Sequence, residues 1–347
     1  MALKRRRVLE PEPAPRNGSV YEGAASASSW FAEPRVKPVA SVTWILRESS
    51  EPPFGRLPFE IPPHALLADS AAIMERATAG DMVMISGLEV PALVETCDRL
   101  LNSGVAVAVD TRMVPALRGP MSKNQSGVDW VRLAPVNSHR LALLASRIFD
   151  VVAGSAAMIA LSPLLVVLML GIRTTSAGPA LFRNRTVGRD GARFDLYKLR
   201  SMRQSNGIDQ ERRQGLYRDF MAVRGVAKGR GSKVVEQTRV TPIGRFLRKH
   251  SLDELPQFWN VVRGDLSLVG PRPCLPYEYD LYADWHRLRF RGRPGLTGLW
   301  QVYGRGHVTF EEMVFMDYCY SWRKSFWLDL RIILRTAVVV VTGEGGA

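Results

Sequence analysis

Ile148–Ile172 reads IFDVVAGSAAMIALSPLLVVLMLGI, and from Val151 to Ile172 it carries no charge. A helix of that length is about 33 Å long, close to the thickness of a bilayer core. Arg147 precedes the stretch and Arg173 follows it, so flanking charge gives no orientation. Ser162-Pro163 lies in its middle. Pro163 has no N–H to donate and its ring crowds the preceding turn, while the Ser162 hydroxyl can bond a carbonyl that the proline frees. Two geometries fit this pattern: a straight transmembrane helix with a mild kink, or a sharp bend that returns the chain to the face it entered. A buried soluble helix fits the length less well.

Outward on the C-terminal side lies a basic region with Arg183, Arg185, Arg189, Arg193, Lys198, Arg200 and Arg203. Beside an apolar helix, such a cluster suits an anionic cytoplasmic leaflet. Residues 204 to 236 read as a polar loop with one helix around Asp209 to Arg224. Phe326 to Val341 mixes apolar residues with Asp329, Arg331 and Arg335, with Trp322 and Trp327 at its start. That pattern fits a helix lying in the membrane interface and equally an amphipathic helix packed on a soluble core.

On the N-terminal side, residues 65 to 135 read as a small α/β module. DMVMISG (81–87) is expected as a strand, VPALVETCDRLLNSG (90–104) as a helix with Leu93, Cys97, Leu100 and Leu101 on one face, and VAVAVD (105–110) as a second strand. Strand, helix, strand implies a parallel βαβ unit. No glycine-rich phosphate fingerprint follows the first strand, so nucleotide binding is not read from it. Residues 1 to 62 are rich in Pro, Ala, Ser and Glu and are expected as a disordered tail, with Val42 to Leu46 a local exception. The start, MALKRRRVLEPEPAP, turns from basic residues to Pro and Glu rather than to an apolar run. It is expected to stay on the cytoplasmic side rather than act as a secretory signal.

The 347 residues are 46% hydrophobic, enough for one or two domains with real cores. Lys plus Arg exceed Asp plus Glu by 47 to 33, a net charge of +14, which points to an anionic partner. No recognition-helix pattern or aromatic RNA-binding motif is present, so nucleic acid is not expected. Cys97, Cys274 and Cys319 are too far apart for a zinc site and read as reduced, buried side chains.

The chemistry concentrates in TRVTPIGRFLRKHSLDELPQFWNVVRGDLSLVGPRP, Thr238 to Pro273. Asp253-Glu254 stands ahead of LPQFWNVV, Pro256 marks a helix start and Gly264 its end, so a helix is expected from near Asp253 to Arg263. Ser251-x-x-Glu254 also fits a capping box, which would give the pair a purely structural task. Adjacent helical residues do not face each other, so the two carboxylates suit different partners. Arg245, Arg248 and Lys249 precede the pair, Arg272 is fixed between Pro271 and Pro273, and Arg305 follows in RPGLTGLWQVYGRG. Guanidinium groups match phosphate oxygens. Carboxylates, fixed arginines and a nearby membrane segment together suggest phosphoryl transfer at a membrane surface.

These blocks resemble the bacterial sugar transferases, the monotopic phosphoglycosyl transferases that act on undecaprenyl phosphate. The matching residues are the Ser162-Pro163 segment, TSAGPALFRNRTVGRDGARFDLYKLRSM, GRFLRKHSLDELPQFWNVVRGDLSLVGPRP, RPGLTGLWQVYGR and WLDLRIILRT, from about Leu144 to Thr342. The resemblance implies an α+β, mostly helical fold over 144–342, with a re-entrant membrane helix at 148–172 broken at Ser162 and Pro163, interfacial amphipathic helices and a small βαβ segment ahead of it. It implies a sugar 1-phosphate passed from a UDP-sugar to undecaprenyl phosphate with release of UMP, at the cytoplasmic face of the bacterial inner membrane, starting exopolysaccharide or another surface glycan. Asp253 would be the nucleophile, forming an aspartyl phospho-sugar intermediate, and a magnesium ligand. Glu254 would assist as acid, base or orienting group. Arg248, Arg272 and Arg305 would contact phosphate. Mg2+, membrane lipid and either a second copy or downstream glycosyltransferases complete the expected partners.

The chain departs from the family pattern at Glu236-Gln237-Thr238-Arg239, where an Asp-Pro-Arg run is common before the Thr-Arg block, and in residues 65 to 135, which resemble only the last part of a nucleotide-binding-like domain. A non-catalytic scaffold binding anionic lipid is the competing reading. It accounts for the charge and the apolar segment but not for the Asp-Glu pair or Arg272.

Overall fold

The computed structural model describes residues 43–47, 66–68, 73, 77–79, 81–112, 114–117, 121, 123–125, 128–135, 140–175, 177–203, 209–222, 240–304 and 306–342. The first part is a sheet with β1 (Thr43–Arg47), β2 (Leu66–Ala68), β3 (Met82–Ser86), helix α1 (Val90–Asn102), β4 (Ala106–Asp110), β5 (Lys123–Gln125) and β6 (Val128–Leu133). Strand order is β2-β1-β3-β4-β6-β5, parallel from β2 to β4, and β6 runs antiparallel to both of its neighbours. The expected βαβ unit is present as β3-α1-β4, with Met82 opposite Ala106 and Ile85 opposite Val109. Leu93, Cys97, Leu100 and Leu101 are all buried, as their helical spacing predicts. Alternation divides the sheet: Val83, Ile85, Val107 and Val109 face α1, while Met84, Ala108 and Trp130 form a cluster on the other side.

Two features extend this sheet beyond the βαβ unit. Thr43–Arg47, at the local exception expected at Val42 to Leu46, pairs in parallel with Met82–Ser86 along its full length. The apolar run Trp44, Ile45 and Leu46 suits an inner strand, and only the sheet supplies its partners. The β5-β6 hairpin extends the sheet beyond the βαβ unit. The rest of 1–62 lies outside the described residues.

The second part begins with α2 (Arg140–Thr175), a helix that runs through Pro163. The hairpin β7 (Leu181–Val187) and β8 (Arg193–Leu199) follows, then α3 (Asp209–Ala222), α4 (Pro242–Lys249), α5 (Gln257–Arg263), β9 (Ser267–Val269), α6 (Pro276–Asp280), α7 (Asp284–Arg287), β10 (Gly295–Thr297), α8 (Leu299–Tyr303), α9 (Phe310–Arg323) and α10 (Phe326–Thr342). This is an α+β chain, mostly helical, with one helix long and apolar enough to cross a membrane. α3 falls where the sequence predicts a helix within the polar loop.

Parallel strands β9 and β10 place two glycines back to back. A side chain on Gly295 would stand 2.0 Å from the Gly270 nitrogen, so only glycine permits this approach. The aromatic-rich α9 is buried over most of its length and packs against α1, joining both parts in one apolar cluster. Thr309 and Glu312 cap α9 reciprocally, at 3.2 and 2.7 Å.

α2 leaves most of its apolar surface uncovered. Val152, Ile159, Val166, Val167 and Leu170 are each more than half exposed. Phe246 on α4, Trp259 on α5, and Trp327 and Leu334 on α10 are exposed as well. Large uncovered apolar surface of this kind marks a partner or a membrane. α10 keeps Ile332 fully buried and its Asp329 accepts from the Tyr320 hydroxyl at 2.6 Å, so one face of it packs on the protein and the other stays apolar and open.

Candidate active site

Asp253 and Glu254 share a single 3-10 turn, Leu252–Glu254, between α4 and α5. α4 starts cleanly: Thr241 Oγ1 accepts from the Gly244 amide at 3.0 Å and Pro242 opens the helix. It ends at His250, after which Ser251 adopts a left-handed backbone with φ 54°. Such a conformation costs a serine of order 1 kcal/mol. It turns the chain so that the carboxylates follow directly.

The expected helix from Asp253 is corrected here. α5 begins at Gln257, with Pro256 as its N-cap, because the residues ahead are joined by i to i−3 bonds: Glu254 N to Ser251 O and Leu255 N to Leu252 O, both 3.3 Å. The expected end at Gly264 holds, with φ 95°. The capping-box alternative is not realised, since Ser251 makes no side-chain capping bond. The Glu254 carboxylate instead accepts from Lys198 Nζ at 3.1 Å, across from the end of β8.

The surroundings of this turn are built by the residues after Lys198. Ser201 O accepts from the Thr241 amide at 3.2 Å, and Met202 Sδ accepts from Arg248 Nη1 at 3.5 Å. Arg248 is therefore half-buried one turn of chain ahead of the pair. Asn260 on α5 ties the same hairpin from the other side. Its Oδ1 accepts from Tyr197 N at 3.1 Å and its Nδ2 donates to Asp195 O at 2.7 Å. Both carboxylates stay half-buried, and the Lys198 ammonium borders Glu254.

The turn is also seated on the apolar helix. Leu252 and Leu255, which flank the carboxylates, pack in one cluster with Leu165, Leu168, Met169 and Ile172 of α2. The near end of α2 holds the next elements. Arg147 donates to Val261 O at 2.6 Å and Val262 O at 2.8 Å, and Asp150 Oδ1 accepts from Leu268 N at 2.9 Å. Between these anchors, Ser162 Oγ donates to Ile159 O at 2.8 Å. Ile159 is four residues before Pro163, so the hydroxyl bonds the carbonyl that lacks its usual amide. The expectation for Ser162 and Pro163 is met at the level of hydrogen bonding. The backbone stays helical through the site.

Arg272 lines a small cleft with Glu278, Arg289, Trp300, Tyr217 and Tyr282. Burial pushes the Glu278 carboxyl up, against the pull of its Leu275 amide bond, Arg272 and Arg289. Arg289 is buried and paired with Asp317 of α9. Arg305 lies outside the described residues. The structure thus places Asp253 and Glu254 on one turn, sets Arg248 at the end of the preceding helix against Met202, and groups Arg272 with the Glu278–Arg289 cleft.

Sequence reasoning missed three contributors. Lys198 was read only as part of a basic patch facing lipid. Asn260 sat unmarked in an apolar run, although an amide side chain among buried residues is itself a signal of bonding duty. The Arg289–Asp317 pair spans 28 residues and carries no local pattern. Among the described residues no group of three or more His, Cys, Asp or Glu side chains gathers as a ready metal site.

The description "Bacterial sugar transferase" fits residues 141–343 as a family model. The undecaprenyl-phosphate galactose phosphotransferase of Salmonella typhimurium is 32% identical over 290 residues, 81% of this chain and 59% of that protein. That coverage exceeds what 141–347 alone supplies, so the similarity reaches into the α/β part. The UDP-glucose:undecaprenyl-phosphate glucose-1-phosphate transferase of Caulobacter vibrioides is 40% identical over 212 residues, 58% of this chain and 71% of that one. The exopolysaccharide production protein ExoY of Rhizobium meliloti is 36% identical over 206 residues, 58% of this chain and 88% of its own length. Against the galactosyl transferase CpsE of Streptococcus agalactiae, the chain spans 43% of the relative's length. Since the family model covers more than half of the chain and takes in α2, the carboxylate turn and the Arg272 cleft, the protein belongs to the bacterial sugar transferase family.

Proposed function

We propose that this protein transfers a sugar 1-phosphate from a UDP-sugar to undecaprenyl phosphate, releasing UMP and starting a surface glycan such as an exopolysaccharide. The observation that carries this reading is the seating of the Asp253-Glu254 turn on the apolar helix through Leu252 and Leu255. A water-borne donor and a lipid-borne acceptor have to meet one set of groups, and that turn packs on the apolar helix through its leucines while its Glu254 meets Lys198.

The chemistry follows in two displacements. An Asp253 carboxylate oxygen attacks the phosphorus that bears the sugar. The bond from that phosphorus to the bridging oxygen breaks, and UMP leaves with the electron pair. An oxygen of undecaprenyl phosphate then attacks the same phosphorus and the aspartyl bond breaks, which restores the carboxylate and yields the lipid diphosphate sugar. Glu254, held by Lys198, orients groups around the reacting phosphorus. Arg248 and Arg272 bind phosphate oxygens, with Arg305 in the same task.

Magnesium suits this donor set. It is held by one or two carboxylates together with substrate phosphates rather than by an all-protein cage, and one half-buried carboxylate at Asp253 fits that requirement. Bound there with the diphosphate, the ion would neutralise charge that builds on the leaving phosphate.

α2 serves as a re-entrant anchor, entering and leaving by the cytoplasmic face of the inner membrane with its bend at Ser162-Pro163. α4 and α10 lie in the interface on Phe246, Trp327 and Leu334, which are exposed.

Membranes holding the protein, incubated with magnesium, undecaprenyl phosphate and a panel of UDP-sugars, should release UMP with one or two donors. Asp253→Asn should release none above background and should carry no labelled phospho-sugar after incubation with donor alone. UMP release by Asp253→Asn at the wild-type rate would refute the nucleophile assignment.

A further inference from the structure

Alternate residues of one short turn face opposite sides of the molecule. In the 3-10 turn Leu288–Arg291, Arg289 points inward and Arg291 outward. Arg289 reaches the cleft it shares with Arg272 and pairs with Asp317 of α9. Arg291 crosses to the α/β part and holds Asp98 of α1 with both arms, Nη1 to Oδ1 at 2.5 Å and Nη2 to Oδ2 at 2.8 Å. Helix α9 repeats the division. Asp317 takes Arg289, and the next residue, Tyr318, donates its hydroxyl to Asp98 Oδ1 at 3.3 Å. Arg291 lies over the Trp322 ring at 5.8 Å, and Arg323 donates to Met121 O at 2.6 Å.

The inner pair is held by burial, by the Phe290 ring 5.2 Å from the Arg289 guanidinium carbon and by one hydrogen bond to Asp317. Arg289 Nε and Asp317 Oδ1 are buried without a hydrogen-bond partner. The outer pair is two-pronged, and a two-pronged arginine–carboxylate contact fixes direction as well as distance. The turn is thereby pinned from the side of the α/β part as well, through Arg291 and Asp98.

We propose that Asp98 is a positioning residue: the α/β module, through the Asp98–Arg291 pair, sets the placement of the turn that carries Arg289, and with it the wall of the cleft in which Arg272 meets the phosphates of the nucleotide donor. The proposal rests on the reading of Arg272 as a phosphate contact. It gives the module a task in donor binding that needs no ligand of its own.

The test uses the full chain in nanodiscs of anionic lipid, with UDP-glucose and UDP-galactose as donors and undecaprenyl phosphate as acceptor. Asp98→Asn should raise donor KM about 5- to 10-fold, leave acceptor KM unchanged and leave kcat within about twofold. Exchanging the charges in the double variant Asp98→Arg, Arg291→Asp should recover most of the donor KM. Tyr318→Phe, which keeps the ion pair and removes one bond to it, should raise donor KM about twofold and decides the matter if Asp98→Asn does not fold. A donor KM unchanged in folded Asp98→Asn, or unchanged in Tyr318→Phe where that variant decides, overturns the proposal. So does an equal rise in both substrates' KM. Arg272→Ala separates the two ideas. If it leaves donor KM unchanged, the phosphate reading of the cleft fails. If it raises donor KM while Asp98→Asn does not, only the coupling fails.

Discussion

Lys198 and Glu254 meet at 3.1 Å, Nζ to Oε1, and so join the end of strand β8 to the turn that carries Asp253. The two side chains are 26% and 32% exposed, so the pair is partly shielded from water and from salt. Its main consequence is orientation: Glu254 is drawn toward β8.

Lys198→Ala should therefore reduce kcat by about tenfold, the worth of one partly buried charged hydrogen bond. The melting temperature should move by no more than about 2 °C, because a single ion pair still in reach of water contributes little to stability. Steady-state UMP release and a melting curve in detergent check both halves. Lys198→Arg should keep more activity than the alanine variant.

The bond from Ser162 Oγ to Ile159 O occupies the carbonyl that Pro163 leaves without its amide. Single cysteines at Leu143 and Thr174, in a chain whose three buried cysteines are replaced by serine, should both react with a membrane-impermeant maleimide from the cytoplasmic side. In the double variant Ser162→Ala, Pro163→Ala, the helix regains a regular hydrogen-bond ladder. The Thr174 probe should then react from the opposite side. Opposite-side labelling in the otherwise unchanged chain would mean that α2 crosses the bilayer.

His286 gives a pH dependence with a definite sign. Burial, followed by the charges of Arg289 and Arg287, lowers its pKa from 6.5 to about 4, and its Nδ1 accepts from the Ala283 amide at 3.0 Å. The fold prefers the neutral ring. Its contribution is fully present above pH 6.5 and is lost as the pH falls from there toward about 4, because the unfolded chain takes up the proton first. The loss is roughly 3 kcal/mol at most. Melting curves at pH 7.5, 6 and 4.5 should fall more steeply for the native chain than for His286→Asn, whose side-chain oxygen can still accept the amide.

Gly244→Ala should abolish folding of the catalytic part. A β-carbon there would stand 1.9 Å from Ser201 O, a backbone atom in the segment that joins β8 to Met202. Overpacking against a movable side chain costs about 1–3 kcal/mol, and the Ser201 backbone, which cannot swing aside as a side chain can, raises that. Soluble yield after detergent extraction, compared with Gly215→Ala, provides the measurement. Gly215 has open space around its Cβ position, so that variant should behave as the native chain.

The periodic parts of the chain were legible. Leu93, Cys97, Leu100 and Leu101 announced the buried face of α1, and Gly104, with φ 87°, its end. The length and lack of charge of Val151–Ile172 announced α2. The candidate carboxylates stood out because Pro256 and Gly264 bracket a short apolar helix. The starting point of that helix was misjudged, since a 3-10 turn and a first helical turn share the same sequence signals and differ only in which carbonyl each amide reaches.

Local patterning determined α1, β3, β4 and the apolar helix α2: spacing along one chain is enough to choose a helix or a strand. It could not decide what those elements meet. That Glu254 takes Lys198 from 56 residues away, that Arg291 takes Asp98 from 193 away, and that Thr43–Arg47 finds a strand partner at all were decided by tertiary packing. Side-chain direction and the closure of distant segments depend on every other contact in the fold, and no stretch of sequence carries them alone.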